Sequence, residues 1–352
     1  MTISIIIPCY NAAKYLPVII ADIKSQTYSD WELIIVSNGP HQEEQITVAN
    51  RFASEDSRIK VVVLDTPGVS NARNTGVLHA NGDYVMFVDA DDRLSNNHLQ
   101  RFVSVLDSHP DVVCGGFILN RVSENSKVEV PLASLDSGND GMGAVLNAIL
   151  SSSMILNNLW NKIFNLDFLR STECVFPMDI TVAEDHIFVA EVLLKSSNVK
   201  TIPMTGYIYM YEDGSSAMSR YHACFSEAQR RCDPLDRQLK IKAGMDEAKI
   251  DEDHLRSAYI RVYFEICNIF KKGCDLTFSQ KCELIRNWIK SSDFEKSFAM
   301  QDASKHNLLC KLFDISLIGR SAHIVACSFA LQYFVKRHLG PFKGTLMRHL
   351  RN

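Results

Sequence analysis

Apolar positions in the first hundred residues alternate between two periods. Residues 3–7 are a continuous β-branched run, suited to a strand buried on both faces. Residues 12–26 carry Leu16, Ile19, Ile20 and Ile23 at helical spacing. The alternation continues with apolar strands at 31–36, 59–64 and 84–88, separated by helical patterns at 42–54 and 69–79. Strands and helices alternating at this spacing predict a twisted α/β sheet. Right-handed crossovers place the loops after Ile7, Val36, Leu64 and Val88 along one edge of it. Three polar segments then meet at one crevice: Pro8-Cys9-Tyr10-Asn11, Ser37-Asn38-Gly39 and Asp89-Ala90-Asp91.

Beyond residue 110 the pattern changes. Residues 112–135 read as further strands, with 112–119 the clearest, and the Gly-, Asp- and Asn-rich stretch 136–143 as a connection. Helical spacing returns at 144–171 and at about 183–197, and from about 219 onward it dominates. The expected organisation is an α/β domain over 1–218, with halves at about 1–110 and 111–218. A helical C-terminal region follows over 219–352.

Composition narrows the class. A chain of 352 residues with 46% hydrophobic and 22% charged side chains is ordinary for a globular protein, and a net charge of -4 argues against nucleic-acid binding. The ten cysteines stand singly with no C-x-x-C pair, as expected of reduced cysteines in a cytoplasmic protein rather than of zinc sites or disulfides. No secretory leader and no membrane-spanning run are expected.

The chemistry concentrates where the 84–88 strand ends in Asp89-Ala90-Asp91-Asp92. Clustered carboxylates repel one another and are costly to desolvate, so a cation belongs among them. Mg²⁺ or Mn²⁺ shared between Asp89, Asp91 and substrate diphosphate oxygens fits this pattern. Asp92 reads as the cap of a following helix. Arg73, on the helix before this strand, is suited to pair with a diphosphate or with the aspartates.

The opening Ile5-Ile6-Ile7-Pro8-Cys9-Tyr10-Asn11 resembles the first strand and loop of glycosyltransferase family 2. So does Pro67-Gly68-Val69-Ser70-Asn71-Ala72-Arg73-Asn74-Thr75-Gly76, followed by Ala80-Asn81-Gly82-Asp83-Tyr84 and the aspartates. The resemblance covers roughly residues 1–215. It implies a GT-A fold, a nucleotide-sugar donor and inverting transfer to an acceptor hydroxyl. On this resemblance Pro8, Tyr10, Asn11, Asn38, Arg73, Asp89, Ala90 and Asp91 line the donor site, with Asp91 the principal metal ligand and Asp89 near ribose and metal. Where the family carries an acidic pair after the second strand, this chain has Ser37-Asn38. An Asn can accept from a uracil imide, and a UDP-sugar is the expected donor.

The acceptor half resembles the family at Asn158-Leu159-Trp160-Asn161-Lys162, Phe176-Pro177 and Ala183-Glu184-Asp185-His186. Asp185 is the expected general base, ionised near a helix N-terminus, with Glu184 as its neighbour or reserve. Trp160 reads as a sugar platform or a core residue, Lys162 as a contact to phosphate or acceptor, and His186 as structural or near the site. The Tyr-rich stretch 207–211 leads into a Ser-rich loop that lacks the Arg found in many family members.

After Asp314 the chain has no acidic residue but carries Arg320, Lys336, Arg337, Lys343, Arg348 and Arg351 among apolar positions. Such a basic amphipathic tail either lies at an anionic membrane surface or packs on the core. The expected acceptor is an oligosaccharide or lipid-linked glycan of surface polysaccharide or lipopolysaccharide synthesis, at the inner face of the cell membrane. The alternative is a catalytically silent GT-A-like subunit of a glycan assembly complex.

Overall fold

Parallel strands joined by helices build the first part of the chain, as the period changes require. A computed structural model describes residues 1–40, 42–212, 220–301, 313, 316, 317 and 321–338, with side chains described as far as 331. Strand β1 (Ile3–Cys9) is followed by α1 (Leu16–Lys24), β2 (Trp31–Asn38), α2 (Glu43–Glu55), β3 (Ile59–Leu64), α3 (Val69–His79) and β4 (Tyr84–Phe87). Next come β5 (Arg93–Leu94), α4 (His98–Val103), β6 (Val112–Gly115), β7 (Phe117–Arg121), β8 (Ser126–Val130) and β9 (Leu135–Asp136). The chain continues through α5 (Met142–Leu150), α6 (Ser153–Leu156), β10 (Lys162–Asn165), α7 (Leu166–Ser171), α8 (Glu184–Lys195), β11 (Val199–Ile202) and β12 (Tyr207–Tyr211). Among the described residues the helices α9 (Phe225–Lys242), α10 (Glu247–Ile269), α11 (Phe278–Ile289), α12 (Ser292–Ala299) and α13 (Ala322–His338) follow.

The main sheet has the order β3-β2-β1-β4-β10-β6-β11-β9. Its first four strands are parallel, with Ile5 of β1 opposite Leu33 on one side and Met86 on the other. β1 and β2 are apolar almost throughout and buried on both faces, as all-parallel strands under helices must be. β10 runs antiparallel between β4 and β6, and β11 lies parallel to β6. A smaller sheet, β5-β12-β7-β8, holds the strand that follows the aspartates.

Two elements differ from the sequence pattern. The apolar run 112–119 is two strands in different sheets, because the chain turns at Gly116, where a Cβ would lie 2.1 Å from the Pro203 carbonyl oxygen. The helical reading of 144–171 missed β10, four residues at the centre of the main sheet. Leu159, Trp160 and Ile163 continue a helical spacing, and only pairing with β4 and β6 overrides it.

The chain divides into two compact units, residues 1–216 with 227–245, and residues 217–226 with 246–352. The helical pattern assigned all of 219–352 to one C-terminal region, whereas most of α9 packs with the first unit. Arg231 pairs with Asp179 at 2.9 Å, and Lys242 Nζ donates to the carbonyls of Leu193, Leu194 and Ser196 at the C-terminal end of α8. The second unit has its own aromatic core, including Tyr259, Phe294, Phe313 and Phe329. In α13 the buried Val325 and Phe329 contrast with Ile324 and Leu331, which are exposed. Of the basic tail, Lys336 and Arg337 fall where only the helix backbone is described, and Arg320, Lys343, Arg348 and Arg351 lie outside the described residues, as does the Ser-rich loop at 213–219. Among the described residues no helix is long and apolar enough to cross a membrane.

Candidate active site

Helix α3 sets the site. Gly76 lets it lie close on β1, since a Cβ there would come 2.4 Å from Ile6 Cγ2. One turn earlier, Arg73 is 4% exposed and points into a cluster of acids. Its Nη1 donates to Glu184 Oε1 at 3.2 Å and contacts Asp185 Oδ1, while Nη2 lies 3.6 Å from Asp89 Oδ1. The guanidinium sits over the ring of Phe176, 5.4 Å from its centroid, and Phe176 in turn stacks on Phe188 and meets the edge of Phe87. Arg73 thus faces acids from both halves of the domain, with an apolar floor beneath.

That environment explains the proton affinities. Burial opposes the charge on Arg73, but the carboxylates of Asp185, Asp89 and Glu184 outweigh it and raise its pKa. Asp89 is raised by burial and by Asp91 and Glu184, against the pull of Arg73. Asp185 is raised to about 7, by burial first, with Glu184 and Asp89 adding to it and Arg73 and Lys162 opposing. Its side chain keeps 23% of its surface open, so the carboxyl faces the crevice and is not sealed off. The expected fully ionised state is therefore corrected. Although Asp185 stands in the first turn of α8, burial and the carboxylates of Glu184 and Asp89 outweigh the favourable helix end. Ala183, just before this helix, holds a left-handed φ of 62°, a conformation that costs a non-glycine residue about 1 kcal/mol or more.

Three carboxylates against one guanidinium leave an excess of negative charge, and Asp91 is exposed beside them. The donor set is hard oxygen, and it fits Mg²⁺ or Mn²⁺. Among the described residues no group of three or more His, Cys, Asp or Glu side chains forms a metal cage, so substrate oxygens would complete the coordination. Ala90, 8% exposed, is a packed spacer between the two aspartates.

Asp92 does not cap a helix, because β5 follows it and α4 begins only at His98. Its buried carboxylate accepts from the Tyr207 hydroxyl at 2.6 Å and from the Met210 amide at 2.8 Å, while the Asp89 amide donates to that same hydroxyl at 3.2 Å. Burial and Asp89 push Asp92 well above the usual carboxylate range. Tyr207 is stacked on Trp160 with centroids 4.4 Å apart. Trp160 is 4% exposed and packs edge-on against Phe117, so it is a core residue and not a sugar platform.

On the donor side, Tyr10 is 54% exposed and its ring covers Gly39, where a Cβ would come 2.8 Å from it. Pro8, one residue before the end of β1, lies opposite Val36. Asn11 is exposed with φ 52°, and α1 starts only at Leu16, so Asn11 does not cap it. Asn38 is 3% exposed: its Nδ2 donates to the Cys9 carbonyl at 2.9 Å and its Oδ1 accepts from the Gly68 amide at 3.1 Å. The side chain therefore ties together the ends of β1 and β2 and the segment that follows β3. Asn38→Asp would set a carboxylate oxygen against the Cys9 carbonyl and is expected to cost about 1–3 kcal/mol, read as a lower Tm.

Sequence reasoning gave no role to several neighbours of this site. Asn74 holds the segment before α8 through a two-way bond with the Phe176 backbone, both distances 2.9 Å. Tyr209, half-buried, has its hydroxyl pushed up to about 12 by burial and by Asp92, Asp89 and Asp91. Lys14 is exposed and feels the charges of Glu212 and Asp91. Asn74 lies inside the quoted motif, whereas no spacing marks Lys14.

Comparison with known proteins agrees with this geometry. The family model described as Glycosyl transferase family 2 matches residues 4–164. The "Uncharacterized glycosyltransferase EpsJ" of Bacillus subtilis is 29% identical over 239 residues, 64% of this chain and 65% of that protein. The "Cholesterol galactosyltransferase" of Borreliella burgdorferi is 23% identical, with 70% of each chain covered. Among solved structures, S. aureus TarS 1-349 in complex with UDP-GlcNAc superposes with a TM-score of 0.58 at 19% identity, covering 95% of this chain and 91% of that one. Residues 4–164 match the model of glycosyltransferase family 2, and the parallel sheet with the aspartates at its edge has the GT-A fold.

Proposed function

We propose that this chain is an inverting glycosyltransferase that moves a sugar from a nucleoside-diphosphate donor, a UDP-sugar, to a hydroxyl of a glycan acceptor. The observation that carries this reading is the convergence of Asp89 with Glu184 and Asp185 on Arg73. It joins the donor-side aspartates to a candidate base across one crevice. Asp91 and Asp89 would hold Mg²⁺ or Mn²⁺, which when bound offsets charge on the leaving diphosphate. Tyr10 offers an exposed ring near the nucleoside, with Pro8, Asn11 and Asn38 shaping its pocket. Asp185 takes the proton of the acceptor hydroxyl as that oxygen attacks the anomeric carbon. The new C–O bond forms as the bond to diphosphate breaks on the opposite face, so an α-linked donor gives a β-linkage. Glu184 orients Asp185 or stands in reserve.

One relative, TarS of Staphylococcus aureus, is by its name a "Poly(ribitol-phosphate) beta-N-acetylglucosaminyltransferase". An oligosaccharide or lipid-linked acceptor of polysaccharide or lipopolysaccharide synthesis suits this chain, met at the cytoplasmic face of the membrane with the basic tail as the contact. One observation favours a second reading, a silent nucleotide-sugar-binding subunit: the Asn38 amide is bound to Cys9 and Gly68 in place of the family's acidic side chain.

Thermal shift of the full chain against UDP-, GDP-, dTDP- and CDP-sugars, with and without Mn²⁺, tests the proposal. Stabilisation by UDP-sugars is expected, about 2.7 kcal/mol when the donor stands at roughly 100 times its Kd. It should need the metal and be lost in Asp91→Ala, which should also abolish UDP release. Full activity in that variant would remove the metal assignment, and binding without turnover would favour the silent subunit.

A further inference from the structure

Lys162 opens β10 and is wholly buried. Its Nζ donates to the Ile155 carbonyl at 2.5 Å, to Asn161 Oδ1 at 2.8 Å and to the Asn158 carbonyl. Three ammonium protons thus meet three neutral oxygens, and among the described residues no carboxylate lies within ion-pairing distance. A contact to phosphate or acceptor, expected from sequence, is therefore corrected, since the group has no open surface. A buried ammonium without a paired anion is unfavourable unless its protons are needed where they are. Burial lowers its pKa to about 8, opposed by Cys114 on β6 and by Asp185 on α8.

The three acceptors all lie in the segment 155–161, so the ammonium folds that segment around itself. Two contacts leave the segment for the site. Trp160 stacks on Tyr207, whose hydroxyl holds Asp92 and the Asp89 amide. Asn157 Oδ1 lies 2.6 Å from Nδ1 of His186, the residue after Asp185, and the other ring nitrogen of His186 lies 2.7 Å from Asp236 of α9. We propose that Lys162 is a positioning residue: its ammonium locks the 155–161 segment, which sets the metal edge against the start of α8. This inference rests on the reading of Asp185 as the base.

Asp185 is faced by Arg73 from α3, Glu184 from its own helix, Asp89 from the loop after β4 and Lys162 from β10. In Lys162→Met the segment loses its three hydrogen bonds and Asp185 loses one positive neighbour. The test is UDP release from UDP-GlcNAc by the full chain with Mn²⁺, followed across pH beside wild type and Asp185→Asn. Expected for Lys162→Met are a fall in kcat of about tenfold or more with KM for UDP-GlcNAc little changed, and an acid limb displaced to higher pH. An unmoved acid limb with unchanged kcat, whatever the Tm, overturns the proposal. Should Lys162→Met not fold, Asn157→Ala decides, since that side chain is exposed: lowered kcat at unchanged Tm supports the link, and unchanged kcat overturns it. Failure of the underlying reading looks different, as UDP release would then be absent in wild type or retained in Asp185→Asn.

Discussion

Asp185→Asn is expected to lower sugar transfer by roughly 10³-fold while leaving the fold and the donor-induced thermal shift in place. The amide keeps the shape of the carboxyl at the start of α8 but cannot take a proton. The pH dependence follows from the raised pKa of about 7. Below that value the carboxyl is protonated and cannot act as base, and above it the carboxylate is available. Wild-type kcat/KM should therefore rise with pH through about 7 and level off, and Asp185→Asn should lose that limb along with the activity. If Asp185→Asn keeps its rate while Glu184→Gln loses it, the base is Glu184.

The second large effect is expected at Arg73. Arg73→Met leaves Asp89, Glu184 and Asp185 facing one another without their cation. Removing one partner from a buried ionic cluster costs about 3–5 kcal/mol, read by urea or thermal unfolding. The pH dependence has a definite sign. A carboxyl whose folded pKa is raised above its unfolded value loses stability as pH rises from the unfolded pKa to the folded one. Asp185 already spans 3.8 to about 7 with Arg73 in place. Without the guanidinium that rise is larger, so the variant's deficit should be greatest above neutrality and shrink on acidification. A deficit equal on both sides of neutrality would mean that the loss is one of packing over Phe176 and not of charge.

β1, β2 and β4 were legible because burial on both faces demands apolar runs, and Val69–His79 and the edge strand Ile59–Leu64 begin and end where the pattern does. β10 was not, since four residues carry too little period to separate strand from helix. Asp89 and Asp91 stand out in the sequence because they end an apolar run, whereas Asp185 stands out only through the resemblance. The site was not legible where the role comes from burial by distant chain. Asp92 reads as a cap until Tyr207 is seen against it, and Lys162 reads as a contact to phosphate or acceptor until its burial is seen. Asn38 reads as a free amide, yet both ends of that amide are taken by backbone groups of the flanking loops.

The reach of Arg73 also bears on the order in which the molecule is made. Its partners Glu184 and Asp185 stand 111 and 112 residues further along the chain. At about 5–20 residues per second of synthesis, α3 waits on the order of ten seconds for them. In that interval β1 to β4 can pair, but β4 keeps an open edge until β10 arrives, and the guanidinium stays hydrated. Closure of the crevice is thus a late event of assembly. A nascent chain stopped before residue 184 carries Arg73 and Asp89 without Glu184 and Asp185, so the ionic cluster forms only with the completed domain.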